Sequence, residues 1–348
     1  MVEYLSGNRI QGSSALTTSP PATGWKELGR QTLSSSGDVM TTGTITAKDN
    51  LMILYYGVAD GAMINKLTFN DDTGNNYAYK ISDNGGSDSS TTSNAFLEFA
   101  TSSTSNEFSV ADVVNIADQE KLVHLNHAGQ NTAGAGTSPR SRELAGKWAN
   151  TSNAITKVTA TNSQSGSFGS GSELVVLGYD NDEADSGATF WEDLADVTLG
   201  SAGDTLSSGT ITAKKYLWVR IHGHASGNFD NCKIRFNSDS GSNYAYTHSS
   251  NGSSFSNNQS DSGFNYVGTN GAEDHFVDMF IFNKSNKEKL ATIEQLRASD
   301  AGAGNNPARK EVVGKWANTS SQITSVQAVN GGNGDFAAGS RIQVWGAD

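Results

Sequence analysis

Gly146-Lys147-Trp148-Ala149-Asn150-Thr151-Ser152 recurs without change as Gly314-Lys315-Trp316-Ala317-Asn318-Thr319-Ser320. Self-similarity at a fixed spacing is the first thing to follow outward, because it decides how many times one fold is built. Upstream, Glu120-Lys121-Leu122 matches Glu288-Lys289-Leu290, and Asn76-Tyr77-Ala78-Tyr79 matches Asn243-Tyr244-Ala245-Tyr246. Gly43-Thr44-Ile45-Thr46-Ala47-Lys48 matches Gly209-Thr210-Ile211-Thr212-Ala213-Lys214, and Trp25 and Trp191 open the two stretches. Over all these matches the offset drifts only from 166 to 168, so insertions between the copies are tiny. The chain is one module written twice.

The boundaries follow from what the repeat leaves out. Residues 1–23, with Ser19-Pro20-Pro21, read as an extended arm; 24–180 is the first copy, 181–188 a polar linker, and 189–348 the second copy. Each copy has an ordinary domain size.

Within a copy the apolar period is two. Leu217, Val219 and Ile221 share one face of a strand, and Ile342 and Val344 share one face of another. Similar runs over 64–69, 110–116 and 155–161 are separated by turn residues such as Asp72-Thr73-Gly74, Asp83-Asn84-Gly85-Gly86 and Asn330-Gly331-Gly332. The polar residues are mostly Ser, Thr, Asn and Gly, with 17% charged, a composition that suits turns and exposed strand faces better than helices. The expected fold is all-β: two tandem antiparallel β-sandwich domains, jelly-roll-like, with eight to ten strands per copy.

Comparing the copies predicts a covered surface. Opposite the core, the second copy carries Trp218, Arg220 and His222 where the first has Met52, Leu54 and Tyr56, and Gln343 and Trp345 where the first has Val175 and Leu177. So apolar a face is expected to be covered by the second copy, the arm or a neighbouring subunit.

A formal net charge of −12 argues against extended nucleic-acid contact, which needs Lys/Arg clusters. The lone Cys232 closes no intrachain disulfide, no apolar run approaches the roughly 20 residues of a membrane helix, and Met1–Ser6 lacks the features of a secretory signal. Neither a nucleic-acid partner nor membrane insertion is expected. For catalysis, none of the six histidines recurs between the copies, and Gly171-Ser172 and Gly339-Ser340 precede strands instead of forming a nucleophile elbow. No enzyme activity and no cofactor are expected. His222-Gly223-His224 puts two imidazoles on one strand face, a spacing open to a metal, but reads first as two surface histidines. The Asp72 and Asp239 loops resemble oxygen-rich calcium loops but carry too little charge, and read as hairpin turns. Trp148 and Trp316 read as core anchors ahead of sugar platforms. Recognition is expected in the divergent segments 87–106 and 253–273, where Phe255, Phe264 and Tyr266, with nearby His275, are the contact candidates.

Gly314–Ser320, followed by Ile323-Thr324-Ser325-Val326 and Gly334-Asp335-Phe336-Ala337-Ala338-Gly339-Ser340, resembles repeats of uncharacterised virion structural proteins of marine tailed phages and environmental viruses. Tyr4-Leu5-Ser6-Gly7-Asn8-Arg9-Ile10-Gln11-Gly12 looks like the start of such proteins, while the first copy departs from the pattern at Ser167-Phe168-Gly169-Ser170-Gly171-Ser172. The resemblance implies a virion component made in the host cytoplasm, an exterior capsid or tail/fibre protein assembling as a homo-oligomer with other virion proteins. The alternatives are an adhesin gripping a host surface glycan and a self-assembling filament or surface protein of a marine microbe.

Overall fold

The computed structural model describes residues 24–102, 105–180, 189–227, 229, 231–253, 255–267, 273–298 and 303–348, with the short strands Tyr4–Leu5 and Asn8–Arg9. The rest of the expected arm and the linker 181–188 lie outside the described residues. Among those described there is no helix, every strand pairing is antiparallel, and the fold is two tandem β-sandwiches.

Unit 1 comprises Met1–Asp83, Ser87–Gly129 and Arg142–Asp193; unit 2 comprises Asn84–Gly86, Gln130–Ser141 and Leu194–Asp348. The division departs from the sequence boundaries in two ways. Trp191, aligned with Trp25 at the head of the second copy, is buried in unit 1, where the adjoining Phe190 N–H donates to the Trp25 carbonyl at 2.7 Å. Two loop segments, Asn84–Gly86 and Gln130–Ser141, belong to unit 2.

Each unit packs an eight-stranded sheet on a four-stranded one. In unit 1 the large sheet runs Lys26–Thr32, Glu173–Tyr179, Asn50–Gly57, Glu107–Val114, Lys121–Gly129, Arg140–Trp148, Tyr77–Asp83, Ser89–Asn94. The small sheet runs Leu97–Ser102, Met63–Phe69, Val158–Asn162, Val39–Thr41. Unit 2 repeats the same order from Glu192–Thr198 and Arg341–Ala347 at one edge of its large sheet to Tyr244–Ser250 and Ser256–Asp261 at the other. Counting the two- and three-residue strands, each copy has more strands than the expected eight to ten. Short edge pairings carry too little periodicity to be read from sequence.

Alternation fills the core. Leu51, Ile53 and Tyr55 point between the sheets of unit 1 and Leu217, Val219 and Ile221 between those of unit 2. The loops at Asp72 and Asp239 are not hairpins: each leaves a strand of the small sheet and enters a strand of the large one. The crossing begins with a tight turn in which Asn70 and Asp71 (φ 52° and 57°), or Asn237 and Ser238 (φ 53° and 56°), both take positive φ, the pattern of a type I′ turn. Asn70 Oδ1 then accepts the N–H groups of Thr156 and Lys157 while its Nδ2 donates to Ala154 O, and Asn237 repeats the arrangement with Thr324, Ser325 and Gln322.

Candidate functional site

The residues shared by the two copies hold the fold. Asp72 accepts from Trp148 Nε1 at 2.7 Å, from Asn76 Nδ2 at 2.9 Å and from Gly74 N at 2.9 Å; Asp239 accepts from Trp316 Nε1 at 2.8 Å, from Asn243 and from Gly241. Burial alone would raise both carboxyls, but these donors outweigh it and hold them below the ordinary aspartate range. A carboxylate wrapped by donors is the reverse of a calcium ligand, so the Asp72 and Asp239 loops are latches. Trp148 and Trp316 are buried and stack on Tyr77 and Tyr244, at 6.4 and 6.3 Å between ring centroids. Lys121 and Lys289, fully buried beside these indoles, donate to backbone carbonyls: Ala117, Gln119 and Asn150 for the first, Lys287 and Asn318 for the second. Burial drives both ammonium pKa values down, Lys289 to about 8.

Three of the four loop candidates for recognition are core residues. Phe264, Tyr266 and His275 are 0, 0 and 2% exposed; Tyr266 Oη and His275 Nε2 lie 3.2 Å apart, and burial lowers the imidazole to about 4. Only Phe255 is half-exposed, and its ring lies over Gly85 in unit 2. Alternation explains the miss: Phe264 and Tyr266 are the inward positions of a strand that sequence alone places in a variable loop. Met52, Leu54, Tyr56, Val175 and Leu177 are all buried, none more than 3% exposed.

Sequence reading missed a buried polar set in unit 1. Asn65 Nδ2 donates to Tyr55 Oη at 3.0 Å and to Glu107 Oε2, all three side chains within the sandwich, and burial with the Glu107 charge raises the Tyr55 phenol. Ser109 Oγ and His127 Nδ1 approach to 2.9 Å, both buried, beside a cavity of about 10 Å³. No substrate fits such a space. Nothing in residue spacing brings these positions together: register sets Ser109 opposite His127, and the packing of one sheet on the other brings Asn65 to Tyr55 and Glu107.

Unit 2 has two surface features with chemistry. The first is an open depression of about 440 Å³ lined by Arg220, Ile221, His222, Phe276, Arg341 and Gln343. Arg220 lies over the Trp218 ring and pairs with Asp278, while Arg341 pairs bidentately with Asp196. At its end His222, His224 and Asp274 come together.

The second is a seat filled by Gln130–Ser141. Lys315 Nζ donates to the carbonyls of Gln130, at 3.0 Å, and of Thr132; Glu288 accepts from Gln130 Nε2, at 2.8 Å, and from the Gly134 N–H. Ala135 O accepts from Ser260 N at 2.9 Å, Pro139 O from the Thr247 hydroxyl at 2.7 Å, and Ser138 Oγ donates to Asn258 O at 3.1 Å. The side chains of Lys315 and Glu288 are 0 and 4% exposed beneath the loop. In unit 1 the equivalent Lys147 and Glu120 pair at 2.8 Å with 43 and 41% of their side chains exposed, and the equivalents of Thr247 and Ser260, Lys80 and Ser93, are exposed as well.

No family model and no curated protein matches the chain. Among solved structures, domains LG4-5 of mouse laminin alpha1 chain align over 97% of this chain and 92% of that one, at 10% identity and a TM-score of 0.19. An acyl-CoA hydrolase from Agrobacterium tumefaciens aligns over 76% and 77%, at 6% identity and a TM-score of 0.13. Both likenesses are too slight to carry an argument, and the architecture rests on the chain's own geometry.

Proposed function

We propose that this chain is a non-enzymatic structural protein that assembles head to tail with copies of itself, as a component of a virion shell or tail. The filled seat in unit 2, set against its exposed counterpart in unit 1, carries the reading. The loop that fills the seat, with Ala133-Gly134-Ala135-Gly136 and Pro139, has a counterpart in the second copy with Ala301-Gly302-Ala303-Gly304 and Pro307. Ala303–Pro307, Lys80 and Ser93 are exposed, and Glu120 and Lys147 are half-exposed. Most groups needed for docking recur: a lysine for the carbonyls, a carboxylate for a backbone N–H, and the N–H of Ser93 in the place of Ser260. The occupant we assign to the open seat is therefore the counterpart of Gln130–Ser141 in another copy, residues 298–309, which includes the exposed Ala303–Pro307. Such an interface is heterologous, closing into a ring or running on as a filament.

The remaining support is chemical. The shared polar residues are used up in latches, the Ser109–His127 pair has no room for a substrate, and the motif Gly314–Ser320 resembles repeats of virion proteins. The glycan alternative loses Phe264, Tyr266 and His275 to the core.

Sedimentation velocity and electron microscopy of the full chain test the assembly. Wild type is expected to form concentration-dependent oligomers that Glu120→Lys with Lys147→Glu dissociates, both chains keeping the same circular dichroism and melting temperature. A Thr91→Cys chain mixed with an Asn306→Cys chain is expected to cross-link on oxidation, since Asn258 and Ser138 are the corresponding neighbours. Monomer at all concentrations, or assembly indifferent to the charge changes and without cross-link, overturns the interface. Peptides of the chain in density-banded particles test the virion role separately, and their absence overturns it.

A further inference from the structure

We infer that His222, His224 and Asp274 form a binding site for a divalent transition metal of the zinc class. One potential ligand atom from each of the three side chains lies within 4.8 Å of the others, and His224 Nδ1 stands 3.1 Å from Asp274 Oδ2. Two ligands at about 2.0 Å from a tetrahedral zinc stand roughly 3.3 Å apart, so this pair already spans one edge of a coordination tetrahedron. The His222 imidazole, 4.3 Å from that of His224 between centroids, is exposed and offers the third ligand nitrogen within 4.8 Å of the other two ligand atoms.

The fold places them together for a simple reason. His222 and His224 flank Gly223 and so project on one face. The ladder between Tyr216–Gly223 and His275–Phe282 ends with Gly223 opposite His275, which brings Asp274 beside His224 one step further on. Gly223 itself is required, since a methyl there would stand 2.2 Å from the His275 ring. The His224 backbone is fixed on both sides: its N–H donates to Ser340 Oγ at 3.0 Å, and its carbonyl accepts from Ala337 N at 2.8 Å and from the Ser340 hydroxyl. The ligands therefore sit on restrained backbone, the arrangement that precise coordination needs.

The three residues are not a demand of the sandwich. The first copy builds the same strands with Tyr56, Val58 and Asn106 in their places. Two imidazoles and one carboxylate suit zinc, cobalt or nickel, and do not suit the all-oxygen preference of calcium or magnesium. Three protein ligands leave a fourth position open to water or to a donor from another molecule. This site is independent of the head-to-tail interface, which uses none of these residues.

Isothermal titration of the untagged full chain with zinc chloride at neutral pH, backed by the visible absorption of a cobalt-loaded sample, tests it. One saturable ion per chain is expected, with the absorption of a low-coordinate cobalt centre. His222→Ala and Asp274→Asn are each expected to weaken binding at least about tenfold, while His124→Ala, at an imidazole 3.4 Å from Glu143 in unit 1, leaves it unchanged. No saturable binding in wild type, or undiminished binding in a folded His222→Ala/His224→Ala chain, overturns the site.

Discussion

Asp72 and Asp239 show how one side chain can be spent entirely on architecture. Each carboxylate collects the indole N–H of a buried tryptophan, a side-chain amide and a backbone N–H, so deleting it strands the indole N–H inside the fold while the exposed amide and backbone donors turn to water. Asp72→Ala is expected to destabilise unit 1 by about 1–3 kcal/mol, the range for leaving one buried donor without its charged partner, read as a lower urea midpoint at unchanged slope. His248 supplies the pH dependence. Burial, then the Lys310 charge, lower its pKa from 6.5 to about 4, so the unfolded chain takes up a proton that the folded chain refuses. Its contribution to stability is present above pH 6.5 and is lost as pH falls toward 4. The first copy has Ile81 in this place, and His248→Ile is expected to flatten that part of the stability profile, measured by urea melts across the interval.

At the scale of the element, turns and caged lysines do the positioning. The Asn84–Gly86 turn joins Tyr77–Asp83 to Ser89–Asn94, with Asn84 at φ 47° and Gly85 at φ 64°. A methyl on Gly85 would stand 1.7 Å from the Phe255 ring. Gly85→Ala therefore meets both an unfavourable φ and an aromatic wall. It is expected to lower the melting temperature of unit 2 more than Gly43→Ala lowers that of unit 1, because Gly43 has positive φ but open space. Lys121 acts as a three-way clasp between the segments at Ala117, Gln119 and Asn150, and Lys121→Met removes the donor for three carbonyls at once. About 2–3 kcal/mol of destabilisation is expected from the carbonyls left unpaired, with amide exchange accelerating around residues 117–121.

At the scale of the whole molecule, duplication matters because the copies are used unequally. A surface built twice and filled once by a segment of the chain leaves a vacancy that another copy can fill. In the proposed interface Lys147 and Glu120, with 43 and 41% of their side chains exposed, meet carbonyl and N–H groups of the neighbouring copy as charged partners, so screening bears on that assembly directly. Raising salt is expected to shift the sedimentation profile toward monomer, and the doubly reversed chain, monomeric at low salt, is expected to show no further change. The acidic balance of the chain, −12, adds repulsion between copies that salt relieves. A rise in assembly with salt would mean that this repulsion, not the Lys147 and Glu120 contacts, governs association.

The duplication, the all-β class and the inward faces were legible in the residues alone, because identity at a nearly constant offset and a period of two are local patterns that register directly on the chain. It placed Trp148 and Trp316 in the core correctly, since a large side chain retained in both copies of a small sandwich has few other places to go. Phe264, Tyr266 and His275 read as loop positions in the sequence and are core positions in the structure, because a short strand flanked by Ser, Asn and Gly has the composition of a loop. Asp274 could not be joined to His222 and His224, nor Glu107 to Asn65 and Tyr55, nor Lys315 to Gln130, across gaps of tens to nearly two hundred residues. Those meetings depend on which strands pair, in what register, and on how sheets and loops pack on one another, none of which is written in local spacing.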